Sequence, residues 1–180
     1  MKSMQVKYIK ILILLLVLPF KSWSQSDFKV TFDDESPAVA NETHKIIVVA
    51  DSLRNCLVTN AMKYIGVRYH YSQSNENGFD CSGYVKYVYE NFGYSLPRSS
   101  SDQYKQSRHV KAKEARPGDL VFFVTRGKKV SHVGIYLGNN QFIHSPSKGK
   151  SVSISNLDEI YYKNHLAGFG TYLETSSLRR

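Results

Sequence analysis

The sequence predicts an α+β domain in which N-terminal helices pack on a small antiparallel sheet. Three observations carry this. Apolar residues recur at helical spacing up to Gly93, short apolar runs separated by turn residues take over after Pro117-Gly118, and strands and helices never alternate as a doubly wound sheet requires. Of the 180 residues, 42% are hydrophobic and 13% aromatic, which excludes a disordered or collagen-like chain. The length fits one domain with a sizeable core, and 13 Tyr with 9 Phe favour a sheet-rich interior.

The N-terminus reads as an address. Lys2, Lys7 and Lys10 precede an apolar run from Ile11 to Phe20, and the small residues Ser22 and Ser24 set a cleavage site before Gln25. Residues 1–24 are therefore a secretory signal peptide, and the expected location is periplasmic or extracellular. Ten apolar residues fall short of the ~20 that span a bilayer as a helix, so an uncleaved anchor is the weaker alternative and no stable membrane span is expected after cleavage. Cleavage removes four of the 24 basic residues and lowers the net charge from +9 to +5, a weak attraction for polyanions. No nucleic-acid motif is present, and a monomer is expected.

Residues 25–50 are polar and irregular and read as an N-terminal arm or linker, with the domain over 51–176 and a tail at 177–180. Leu53, Leu57, Ala61 and Ile65 then predict a helix over 52–65, capped by Asp51 or Ser52 and followed by Gly66. A polar loop from Ser72 to Gly78 leads into Phe79-Asp80-Cys81-Ser82-Gly83. Val85, Val88, Tyr89 and Phe92 mark a second helix ending at Gly93. Ser99 and Asp102 have capping-box-like spacing for a short third helix over 99–107. Strands are predicted at 120–124, 132–137, 141–145, 151–155 and 169–173.

Two cysteines are too few for a disulfide scaffold. With Asp80 as N-cap, Cys81 occupies the first turn, where unpaired N–H groups and the helix dipole favour thiolate over thiol. Phe79 and Tyr84 are spaced as a hydrophobic staple that fixes the entry angle. The alternatives are a small buried residue or half of a Cys56–Cys81 disulfide. Cys56 itself falls beside the Leu53/Leu57 face and reads as packed. A thiol nucleophile needs a base, and His132 opens a strand on which Val133, Ile135 and Leu137 point to one face and His132, Gly134 and Tyr136 to the other. If Gly138-Asn139-Asn140 is a three-residue loop, 134 faces 144 and His144 shares the face of His132, with open space at Gly134; a two-residue loop would reverse the parity. Cys81, His132, His144, His70 and Asp80 also include zinc-ligand types, but no close CxxC, HxH or HExxH pair is present. No GxSxG elbow surrounds Ser82.

These residues resemble the NlpC family of bacterial cell-wall cysteine peptidases. The resemblance rests on Gly78-Phe79-Asp80-Cys81-Ser82-Gly83, Leu96-Pro97-Arg98-Ser99, Pro117-Gly118-Asp119-Leu120-Val121-Phe122-Phe123 and the run from Ser131 to His144, and it extends from about Leu53 to Leu173. It implies a pared-down papain-like α+β fold, closest in layout to the single-domain Spr-type murein endopeptidases. It implies Cys81 as nucleophile, His132 as general base and His144 as the residue that orients it. Tyr69 stands in the family's tyrosine position beside the thiol, where its hydroxyl and the Cys81 N–H would form an oxyanion hole. Asp80, Ser82 and Arg98 match motif positions for substrate binding, with helix capping and internal pairing as the alternatives for Asp80 and Arg98. The implied activity is hydrolysis of peptide bonds in peptidoglycan stems or cross-links, with no cofactor and no metal. An amidase or transpeptidase of the same fold and a catalytically silent wall-binding module are the alternatives. Ser72-Gln73 departs from the Gly-Gly pair common after the tyrosine, so substrate preference transfers less well than catalysis.

Overall fold

The computed structural model describes residues 37–173. The expected signal segment, the first part of the expected arm and the tail lie outside the described residues. Helix α1 spans Pro37–Met62 rather than 52–65. Its early start follows from Pro37, which is pre-set for a first helical position, and from good helix formers such as Ala38, Ala40, Glu42 and Lys45; apolar periodicity alone does not register them. The inward stripe is Arg54, Leu57 and Ala61, with Leu53 at its flank. Cys56 lies on the opposite side and is exposed, contrary to its expected packing. The helix face was set by a charged residue, because Arg54 is buried against Asp119.

A two-stranded hairpin follows, β1 (Ser74–Asn75) and β2 (Gly78–Phe79), inside the stretch expected to be loop. Next come α2 (Cys81–Glu90) and α3 (Ser100–Gln106). α2 ends three residues before Gly93. α3 starts where the sequence predicts, its Ser99 cap accepting the Asp102 N–H at 3.2 Å. The main sheet contains β3 (Arg108–Val110), β4 (Leu120–Phe123), β5 (His132–Gly138), β6 (Gln141–His144), β7 (Ser153–Asn156) and β8 (Leu166–Thr171), with α4 (Ile160–His165) before the last strand. All neighbours are antiparallel in the order β3-β8-β4-β5-β6-β7. Strand β3 and helix α4 are absent from the sequence expectation, since neither carries a buried apolar stripe of its own.

The sheet is covered on both faces, which is why β4 reads as an unbroken apolar run and all four of its residues are buried. On one side Leu57, Tyr84, Val85 and Val88 from the helices meet Leu120, Val133 and Ile135. On the other, Val121, Phe123, Phe142 and Phe169 form a second cluster with Tyr136 and Tyr162. The Pro117-Gly118-Asp119 turn ties the layers together. Arg54 Nη1 donates to Asp119 Oδ1 at 2.8 Å and to the Pro117 carbonyl at 2.9 Å, and the Tyr89 hydroxyl donates to the Gly118 carbonyl. Among the described residues no helix is long and apolar enough to cross a membrane.

Candidate active site

Cys81 is the first residue of α2, as its sequence predicts. The extended Asp80 caps the helix, accepting the Gly83 N–H at 2.7 Å and the Ser82 hydroxyl at 3.3 Å. The Phe79 and Tyr84 rings meet edge-on at 5.5 Å, closing the staple. Gly83 is required by proximity, because a Cβ there would lie 2.2 Å from the Gln73 carbonyl oxygen. Both cysteines are free, so the disulfide alternative is excluded.

The expected base, His132, arrives on the β5–β6 hairpin by a route that differs from the expected one. Gly138 pairs with Gln141, leaving a two-residue turn, Asn139-Asn140, with φ of 50° and 57°. Such a turn suits the twist of a hairpin but by itself reverses the parity. A bulge between Tyr136 and Gly138 makes Leu137 the extra residue and restores it: Tyr136 pairs with Phe142 and Ile135 with Ile143. The expected facing therefore holds. The site at Gly134 is not open space, since a Cβ there would lie 2.7 Å from the Phe142 ring and 3.1 Å from the His144 Cβ. Glycine instead lets those side chains close in. His132 Nε2 lies 2.7 Å from His144 Nδ1, and His144 Nε2 lies 3.2 Å from Ser155 Oγ and 3.4 Å from the Tyr162 hydroxyl.

Burial decides the charge state of this constellation. It lowers His132 to about 4, and burial, the His132 charge and the Lys150 ammonium lower His144 to about 2. Both imidazoles are neutral at pH 7. One tautomer pattern then fits a base role for His132: Nε2–H donates to His144 Nδ1, and His144 Nε2–H donates to Ser155. Burial and the neighbouring Asp80 carboxylate push the Cys81 thiol up to about 11, against opposing backbone hydrogen bonds from Ser82, Val133 and Cys81 itself. The expected thiolate preference is overturned. The helix N-terminus acts as anticipated, but desolvation and Asp80 outweigh it. Because His132 is depressed on folding, its contribution to stability is fully present above its ordinary value of 6.5 and is lost as pH falls toward 4, on the order of 3 kcal/mol. The urea midpoint of the parent should drop over that window more steeply than that of His132→Gln; parallel curves would refute the assignment.

Cys81 and His132 line one cleft of about 640 Å³ together with Tyr69, Asp80, Ser82 and Arg98. All the expected site residues except His144 thus border one space, and His144 backs His132. Arg98 is committed to Asp80 by two contacts, Nη1 to Oδ1 at 3.0 Å and Nη2 to Oδ2 at 2.5 Å, and Nη1 also reaches Ser82 Oγ at 3.1 Å. Capping and internal pairing are what Asp80 and Arg98 do in this state. Burial, with Cys81 and Asp80 nearby, raises Tyr69, which keeps its hydroxyl a donor. His70 packs over Gly78, and among the described residues no group of three or more His, Cys, Asp or Glu is gathered as for a metal ion.

Four supporting residues escape the sequence reading. Fully buried Gln103 donates Nε2 to the Ser82 and Pro97 carbonyls at 3.1 and 2.9 Å, joining the helix that Cys81 opens to the Arg98 segment. Ser145 donates to the Phe79 carbonyl at 2.8 Å, pinning the end of β6 to the residue before Asp80. Ser155 and Tyr162 hold His144. Only the position of Gln103, four residues after a helix cap, offers a sequence signal, since it places that side chain inward.

Residues 66–171 match the model of the NlpC/P60 family. The chain is 38% identical over 139 residues to the murein DD-endopeptidase MepS/murein LD-carboxypeptidase of Escherichia coli, an alignment covering 72% of this chain and 73% of that protein. It is 41% identical over 114 residues to the probable endopeptidase p60 of Listeria monocytogenes, covering 63% of this chain but only 23% of that longer protein. The fold superposes on the crystal structure of an NlpC/P60 family protein from Bacillus cereus with a TM-score of 0.65 and 32% identity, over 67% of this chain and 40% of that one. With four sequence blocks, the superposed fold and the matched span in agreement, the chain belongs to the NlpC/P60 family.

Proposed function

We propose that this protein is an exported cysteine endopeptidase that hydrolyses peptide bonds in peptidoglycan stem peptides or cross-links. The observation that carries the reading is the 2.7 Å contact of His132 with His144 beside a cleft that His132 shares with Cys81. With Nε2 committed to His144, Nδ1 is the nitrogen left to take the Cys81 proton as sulfur attacks the carbonyl. The Cys81 N–H and the Tyr69 hydroxyl receive the oxyanion. Nδ1–H then protonates the departing amine, and a water activated by His132 hydrolyses the thioester. His144 stabilises the imidazolium formed in each step, while Ser155 and Tyr162 hold His144. No cofactor enters this scheme. The names of relatives as a murein endopeptidase and a probable endopeptidase support the substrate class.

The test is product identity. Purified sacculi incubated with the mature protein should release fragments that mass spectrometry resolves as pairs with a new amino and a new carboxyl terminus, and Cys81→Ala should release none. Identical release by the variant, or release of sugar-only fragments, overturns the reading.

A further inference from the structure

The cleft does not end at His132. A second lobe of about 320 Å³ shares Thr125, Arg126, His132, Pro146 and Ser147 with the first and extends to Lys150, Glu159, Tyr161 and Tyr162. That volume is at the low end of ligand pockets, roughly 300–1,000 Å³. Cys81 borders only the first lobe, and His132 borders both. A peptide attacked by Cys81 leaves its acyl half on sulfur, in the first lobe. The amine half departs toward the imidazole that protonates it, and the space beyond that imidazole is the second lobe.

The charges there are specific. Arg126 and Lys150 are exposed, and among the described residues neither is in an ion pair. The Lys150 backbone is fixed at both ends, its N–H donating to Ser147 at 3.0 Å and its carbonyl accepting the Tyr69 N–H at 2.9 Å, so the side chain springs from an anchored loop. Its positive charge reaches the histidine pair, lowering His144. The single acidic residue in the lobe, Glu159, has one carboxylate oxygen occupied by the Asn156 N–H at 2.8 Å. Two cations against one partly engaged carboxylate leave the lobe positive.

We infer that this lobe is a carboxylate-binding subsite for the amine-side half of the substrate, with Lys150 as its principal cation and Arg126 as its second. The inference rests on the endopeptidase reading and adds to it a selectivity: the residue released as the new amine carries a free carboxylate. No covalent step is added.

Two peptides decide it, identical on the acyl side and differing only in whether the amine-side residue ends as a free acid or as its carboxamide. The parent should prefer the acid in kcat/KM, through KM. Lys150→Gln should shrink the acid-over-amide ratio about tenfold, and Lys150→Glu should invert it. The ratio is the readout because any effect of Lys150 acting through His144 falls on both peptides equally. A parent that cleaves both without preference, or a Lys150→Gln variant with an unchanged ratio, overturns the subsite while leaving the endopeptidase reading intact. A folded parent that cleaves neither peptide nor sacculi overturns both.

Discussion

His132→Ala is expected to lower kcat/KM at pH 7 by about 10³–10⁴-fold without unfolding the domain. The size follows from the charge state of the resting site. With burial and Asp80 pushing the Cys81 thiol up to about 11, the thiol form prevails at pH 7, so turnover needs a base to take the proton as sulfur attacks. Without His132 that proton goes to water. The residual rate of the variant should therefore climb about tenfold per pH unit up to about 11, while the parent stays flat across the same range. Alkylation by iodoacetamide reports the same equilibrium without substrate and should be slow at pH 7 and accelerate with pH. A variant whose residual rate ignores pH, or a parent thiol alkylated as fast at pH 6 as at pH 9, would show a pre-formed thiolate instead.

Asp119→Ala is expected to cost about 3–5 kcal/mol of folding stability, a large share of the ~5–15 kcal/mol that holds a domain of this kind. Asp119 is 1% exposed and Arg54 8%, so the substitution strands a buried guanidinium rather than loosening a surface contact. Asp119 Oδ2 also accepts the Arg116 N–H at 2.8 Å, so the turn before β4 loses its internal anchor at the same time. Urea denaturation should show a lower midpoint with an unchanged slope. The double variant Arg54→Met/Asp119→Leu should regain most of the loss, because replacing both partners removes the uncompensated charge. If the single variant costs no more than a surface ion pair, under about 1 kcal/mol, the pair is not the anchor described.

How much of this was legible in the sequence depends on how local each interaction is. The cap at Asp80, the staple of Phe79 and Tyr84 and the placement of Cys81 span six residues, and the sequence predicts all three. The facing of His132 and His144 is also predicted, though through a three-residue loop where the chain uses a two-residue turn and a bulge; alternation preserves the face and conceals the means. Thiolate preference fails because the helix N-terminus is a local feature whereas burial of the sulfur is tertiary. The register of α1 fails for a related reason. Its inward face carries Arg54, and hydrophobic periodicity does not see a charge that is paid for by a partner 65 residues away. Ser155 and Tyr162 come from a strand and a short helix whose own sequences give no reason to expect them beside a histidine.

The Asn139-Asn140 turn has a consequence for how the chain tolerates change in length. Both asparagines are exposed at the tip of a hairpin, a place where insertions and deletions ordinarily pass unnoticed. Here one residue gained or lost, unless the bulge at Leu137 changed to match it, would act as a spatial frameshift: every side chain of the returning strand would swap sides, and His144 would be carried away from His132. The tip lines neither lobe of the cleft, yet it keeps the count on which the pairing of the two histidines depends.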